Sequence, residues 1–190
     1  MLKELILKNR SCRRFYQSES ISREMLCEWV NLARNSASAR NAQPLKYILC
    51  TDKSFNGRIF DQLAWAGYLT DWDGPVEGER PAAYIVMLHD TSISSNYLCD
   101  DGIATQSILL GAAEAGFGGC IIYSCNRKNL REILNLSEQF EIIQVLALGK
   151  PKEEVLLEEM KNGEVKYWRD ENQVHHVPKR ALEEIILKQI

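Results

Sequence analysis

The stretch DGIATQSILLGAAEAGFGGCIIYS, residues 101–124, decides how this chain folds. From Gly102 to Cys125 it is weakly charged, broken by Gln106 and Glu114 and rich in glycine. It has the length of a membrane span, but reads better as a buried helix followed by a buried strand. Asp100 or Asp101 can cap the helix, which runs to Ala115, and Gly116 fits a left-handed stop. The helix is apolar on nearly every face, which places it at the centre of the molecule. Gly118 to Tyr123 then reads as a strand.

Working outward, Tyr84–Leu88 and Ile142–Leu148 are buried strands, and Tyr47–Cys50 is strand-like. Leu2, Leu5 and Ile6 mark a short amphipathic helix ending near Asn9. Ser22 can cap a helix carrying Leu26, Trp29, Val30 and Ala33 at i, i+3, i+4, i+7. Asn126 caps a short helix through Leu134. Asn35 to Pro44 is turn-rich, and Phe55 to Pro81 is less regular, with Trp65, Tyr68 and Trp72 near helical spacing. That aromatic stripe suits a core or the cover of a ligand face. Pro178, suited to a first helical turn, opens a last helix with Leu182, Ile185 and Ile186. Helices first, strands spread between helices and a long tail suggest α+β or mixed α/β layers in a single domain spanning 1–190.

The 190 residues, 45% hydrophobic and 26% charged, have the composition of a globular chain with a core. The net charge of −3 and the absence of a basic stripe argue against nucleic-acid binding. The charged start, MLKELILKNR, is not a secretory signal, and no membrane segment is expected. The six cysteines, Cys12, Cys27, Cys50, Cys99, Cys120 and Cys125, form no CxxC pair and read as reduced core residues of a cytoplasmic protein.

Four clusters could carry chemistry. Arg10-Ser11-Cys12-Arg13-Arg14 gathers guanidinium forks and a hydroxyl, which suit a phosphate or, equally, a solvated basic turn. Ser36 to Pro44 packs small residues with the amides of Asn41 and Gln43, as a binding loop or a plain helix-to-strand connection would. Gly116, Gly118 and Gly119 permit close approach, to a ligand or to a neighbouring element. This is not a dinucleotide fingerprint, because it follows a helix rather than opening one. In the tail, Lys179 and Arg180 reinforce the expected helix start as an anion site, while His175 and His176 point to opposite faces of a strand and cannot share a metal. The runs Glu153-Glu154, Glu158-Glu159 and Glu183-Glu184 read as solvated faces. No GxSxG elbow, Walker motif or metal-ligand spacing occurs.

Taken in order, these clusters resemble the nitroreductase family. Arg10-Ser11-Cys12-Arg13 is similar to its early RSxR motif, and Ser36 to Pro44 to its APSxxNxQPW motif, with Ser38, Asn41 and Gln43 in matching places. Asp101 to Gly118 resembles its central helix with the GLG ending, and Leu146-Ala147-Leu148-Gly149-Lys150-Pro151 its ALGyP strand end. Ala37 stands where the family has proline, and Leu45 where it has tryptophan. The resemblance implies an α+β sandwich with a central mixed or antiparallel sheet, flanked by helices, in an intertwined homodimer. It implies FMN as cofactor and NADH or NADPH as electron donor to a small-molecule acceptor such as a nitroaromatic or quinone, by ping-pong turnover. Arg10, Ser11, Arg13, Lys179 and Arg180 would meet the phosphate, and Ser38, Asn41 and Gln43 the ribityl chain and ring edge. Backbone N–H groups near Tyr123 and Ser124 would meet the central ring, and Trp65 and Tyr68 are candidates for the substrate side. No side chain is expected to act as acid or base. The other readings are a flavin sensor or store, a reductive dehalogenase or enoate-type reductase on the same fold, and a cofactor-free structural dimer.

Overall fold

A computed structural model describes residues 1–190. In chain order the elements are α1 (Leu2–Lys8), β1 (Phe15–Tyr16), α2 (Arg23–Arg34), a 3-10 turn (Ala39–Asn41), β2 (Leu45–Cys50), α3 (Lys53–Phe60), β3 (Ala83–Asp90) and α4 (Asp100–Glu114). There follow β4 (Gly118–Ile122), α5 (Arg127–Ile133), β5 (Phe140–Pro151), β6 (Val155–Glu159), β7 (Trp168–Arg169), β8 (His175–Lys179) and α6 (Leu182–Ile185).

Strands β1, β5, β3 and β2 lie side by side in that order, and β4 pairs with β5 as well, all antiparallel. Every residue of β3 is buried, because the sheet is covered on both faces. Ala83, Ile85 and Met87 pack with Trp29 and Leu26 of α2 and Ile108 and Ala112 of α4. Tyr84, Val86 and Leu88 pack on the other face with Ile59, Trp65 and Leu130. The period-two alternation of β3 thus feeds two cores rather than one core and solvent. The molecule is α+β, as expected. No helix is long and apolar enough to cross a membrane.

Helix α4 is central for a steric reason as well as an apolar one. A Cβ at Gly111 would come within 2.5 Å of Leu32 Cδ1 and 3.1 Å of Trp29 Cδ1, so glycine is what lets α2 approach. Gly116 ends the helix at φ +79°, the expected left-handed stop. Ser22 and Asn126 cap α2 and α5 through their side chains, accepting from the N–H groups of Met25 and Asn129. Asp100 does not cap α4. Cys99 holds that position, and the Asp100 carboxylate turns elsewhere.

Three expectations are corrected. The irregular region from Phe55 contains the end of α3, capped by Asp52, whose side chain accepts from the Phe55 N–H at 2.8 Å. Beyond it, Tyr68 lies on a turn and Trp65 and Trp72 in irregular chain, none on a helix. Pro178 opens no helix but lies in β8, opposite Glu158 of β6 in parallel pairing. β7 pairs only with His175 and His176, so the other side of β8 is free at Pro178, where a missing N–H costs no ladder bond. Finally, Cys27 and Cys99 are exposed; only Cys12, Cys50 and Cys120 are core residues. Burial pushes the Cys12 thiol up to about 12 and Cys50 to about 11.

Candidate cofactor site

The start of the chain meets its tail. The Cys12 N–H donates to the Gly119 carbonyl (3.0 Å), which lays the RSCR segment along the first residues of β4. A Cβ at Gly119 would stand 2.7 Å from the Ala147 carbonyl and 2.9 Å from Leu109 Cδ2, so packing alone demands this glycine. Behind the segment sits Glu153, whose side chain is fully buried. It accepts from the N–H groups of Arg13 and Arg14 and from Arg169 Nη2 at 2.8 Å. Glu153 is therefore no solvated acid but the anchor of the turn that aims Arg13, and this corrects the sequence reading. A buried carboxylate is tolerable only with such a set of donors.

A cavity of about 320 Å3 opens at this junction. Arg10, Ser11 and Arg13 line it from the head, Gln106 from α4, and His175 and Lys179 from β8. Within β8 every second residue faces it, as strand periodicity requires. Arg10 Nη2 donates to the Ile6 carbonyl (2.7 Å), but its Nε is buried with no partner. Burial lowers the Arg10 pKa. Arg13 is gripped on three sides: Nη1 donates to the Ser11 carbonyl at 3.3 Å, the same nitrogen lies 3.2 Å from His175 Nε2, and the guanidinium stands 4.9 Å over the Tyr167 ring. Three cations without a carboxylate in the lining, one carrying an orphan donor, make a receptor for an anion.

The remaining candidates lie elsewhere on the chain. Arg180 turns away, with Nη1 3.2 Å from Glu184 Oε2. It stands between β8 and the four-residue α6 rather than at the start of a long helix. The Ser38 hydroxyl donates to Asp100 Oδ2 (2.5 Å) and accepts from the Gln43 N–H (2.9 Å), so it builds the loop instead of facing outward. Asp100 also accepts from the Ala39 N–H at 2.9 Å. Arg40, Asn41 and Gln43 have φ of 56°, 54° and 54°, three left-handed non-glycine residues in one short loop. Gln43 Nε2 donates to Asn41 Oδ1 at 3.1 Å, and both side chains are exposed.

Tyr123, exposed, lies under the Arg127 guanidinium at 4.5 Å. The Ser124 carbonyl accepts from the Ala64 N–H (2.9 Å), while the Tyr123 and Ser124 N–H groups find no acceptor in the chain. Trp65 is buried against Phe60 and Trp72 and belongs to the core. Tyr68 is half-exposed, 5.0 Å from the Tyr167 ring.

On α4, Asp100, Ala104 and Ser107 face the Ser38 loop, whereas Gln106 and Leu109 face the basic cavity. At about 100° per residue these sets lie on different sides of the helix. One chain therefore carries two separate clusters, on different sides of α4.

Residues 6–72 and 78–150 match the model of the nitroreductase family. The chain belongs to the nitroreductase family. It is 28% identical over 159 residues to an Archaeoglobus fulgidus protein named as an NADH dehydrogenase/NAD(P)H nitroreductase, an alignment spanning 80% of this chain and 86% of the relative. A nitroreductase family protein of Streptococcus pneumoniae superposes with a TM-score of 0.71 at 15% identity over the full length of both chains. A nitroreductase from Exiguobacterium sibiricum, crystallised with FMN, gives 0.68 at 14% identity, covering 80% of this chain and 89% of that one. This nitroreductase-family chain is thus an oxidoreductase by membership, and its residues beyond 150 lie outside the family match.

Gln106, Tyr167, His175 and the anchor Glu153 were not expected at the site. For His175 a signal existed, since it lies in the same alternating register as Lys179. Glu153 left none, because its partners are 140, 139 and 16 residues away, at no helical or strand spacing.

Proposed function

We propose that two copies of the chain together hold FMN and use it to pass electrons from NADH or NADPH to a small acceptor such as a nitroaromatic or quinone. One observation carries the reading: Arg10, Arg13 and Lys179 converge on a cavity in which Arg10 Nε has no partner. A flavin phosphate is an anion of the size and donor appetite that this set suits, and one phosphate site without a dinucleotide fingerprint favours FMN. FMN held there would supply the hydride-transfer chemistry.

The chain's own residues do the rest. Arg10, Arg13 and Lys179 would neutralise the phosphate, and the Ser11 hydroxyl could donate a hydrogen bond to it. The unpartnered N–H groups of Tyr123 and Ser124 are donors available to a ring, and the Asn41 and Gln43 amides can serve a ribityl chain or ring edge. The two clusters on opposite sides of α4 support completion of one site by a second copy. So does the uncovered apolar surface: α1 and α6 bury nothing, and Leu2, Leu7, Leu182, Ile185, Leu187 and Ile190 are all more than half exposed. The free, largely inert thiols suit a reducing cytoplasm.

The test is the visible spectrum of the purified protein, apo and after loading with FMN, followed by anaerobic addition of each nicotinamide. Bleaching of a flavin spectrum, reversed by a nitroaromatic or quinone, is the expected result. A yellow protein that neither nicotinamide bleaches would instead be a flavin store, and a colourless one that ignores FMN would overturn the proposal.

A further inference from the structure

The tail cavity contains one group that phosphate neutralisation does not explain. His175 is completely buried, yet it touches the Arg13 guanidinium and also feels the charges of Glu153 and Arg169. Arginine has no acceptor, so the 3.2 Å contact between Arg13 Nη1 and His175 Nε2 requires a lone pair on Nε2. The ring proton must then be on Nδ1, which is buried with no partner. Burial, and after it Arg13, hold the imidazole well below its usual pKa, so the neutral ring needed for this contact is the one present. The ring also lies 5.1 Å from Tyr167, the same ring that the Arg13 guanidinium covers. The ring thus keeps its contact with Arg13 at the cost of an unsatisfied Nδ1–H.

We propose that His175 is a positioning residue: its Nε2 lone pair, with the Tyr167 face and the Ser11 carbonyl, fixes the Arg13 guanidinium so that its remaining N–H groups face the cavity and the anionic group bound there. This rests on the flavin reading above and adds to it a residue from beyond the family match. Lysine or a free arginine would reach the same anion with a wandering charge. The clamp replaces that freedom with a fork of fixed direction.

The experiment measures dissociation constants for FMN and for riboflavin, which lacks the phosphate, by quenching of flavin fluorescence. Wild type should bind FMN more tightly than riboflavin. His175→Phe keeps the ring packing but removes the lone pair, and should weaken FMN about tenfold while leaving riboflavin within about twofold. His175→Gln can place an acceptor oxygen near the Nε2 position and should recover most of the loss. His175→Asn, one methylene shorter, should not. If the Phe variant does not fold, the Gln and Asn pair decides. Equal FMN affinity for those two, or a parallel loss of FMN and riboflavin affinity, overturns the positioning role. Wild type that fails to prefer FMN overturns the flavin reading itself, a separate result.

Discussion

The five-stranded sheet buries all eight residues of β3 between two apolar cores, whereas the three-stranded sheet buries only His175. The first is fastened by side chains that water rejects. The second is fastened by pairs that water and protons can contest: Arg169 with Glu153, Arg13 with His175, and His176 with Glu158. The basic cavity lies on the seam, taking Arg10 and Arg13 from the side of the large sheet and Lys179 from the small one. The fold's stability and the site's geometry are therefore set by different chemistry, and they should fail under different insults.

The largest effects come from cutting each fastening once. Leu146→Ala removes a completely buried side chain and should cost about 2–5 kcal/mol in chemical denaturation, felt by the whole molecule. Glu153→Ala strands Arg169 and the Arg13 and Arg14 N–H groups, at a cost of about 3–5 kcal/mol of the same order. Its damage should be confined: amide exchange should accelerate across residues 153–179 while β3 keeps its protection. Loss of protection in both sheets together would erase the distinction.

Next comes the strained loop on the other side of α4. Asp100→Ala removes the acceptor for Ser38 and Ala39 that holds three left-handed residues in place, and should cost about 1.5–3 kcal/mol. FMN affinity should fall with it, although residue 100 does not line the basic cavity. An unchanged affinity would show that the loop has no part in the cofactor site.

A smaller effect is expected in acid. Hydrogen bonds from Arg14 hold the Glu79 carboxyl down to about 2, and Lys152 Nζ adds a contact of 2.9 Å. A depressed carboxyl stabilises the fold above its unfolded pKa, and the contribution disappears as the pH falls from about 4.5 toward 2. Allowing for solvent screening, this is on the order of 1–2 kcal/mol. Glu79→Gln should flatten that part of the melting-temperature profile. A profile unchanged by the substitution would show that the Glu79 pairs with Arg14 and Lys152 contribute nothing to the fold.

The same contrast explains what could be read in the chain beforehand. Apolar periodicity marks α2, α4, β3 and β5 because burial repeats at 3.6 or 2.0 residues, and the caps Ser22 and Asn126 are local hydrogen bonds. The family's ordered motifs located Arg10, Ser11, Arg13 and Lys179 at one cavity. Helix α3 was hidden because Lys53–Phe60 carries Gly57 and a weak apolar face, despite the Asp52 cap. The small sheet was hidden for a deeper reason. Half of its residues are polar or charged, none of its apolar residues is buried, and ion pairs between positions far apart leave no period. Pro178 even argued for a helix, since nothing local reveals that one side of β8 would be uncovered.

The smallest expected effect tests the small sheet alone. His176 Nδ1 lies 2.7 Å from Glu158 Oε1 and its Nε2 3.4 Å from Asp170 Oδ2, with the ring stacked at 5.0 Å on Trp168, which is 44% exposed. The hydrogen bond to Glu158, foremost, raises the His176 pKa. A raised histidine contributes its full stabilisation below the unfolded value of about 6.5 and loses it as the pH climbs through the folded one. As the pH rises above about 6.5, therefore, Trp168 fluorescence and amide exchange in β6 and β8 should report a loosening that β3 and β5 do not share. The change runs opposite in sign to that of Glu79, so the two fastenings can be separated in one pH series. His176→Phe should keep the stack on Trp168 and abolish the alkaline transition. A transition that survives this substitution would mean that a group other than His176 carries it, and would remove the His176 pairs from what holds the small sheet.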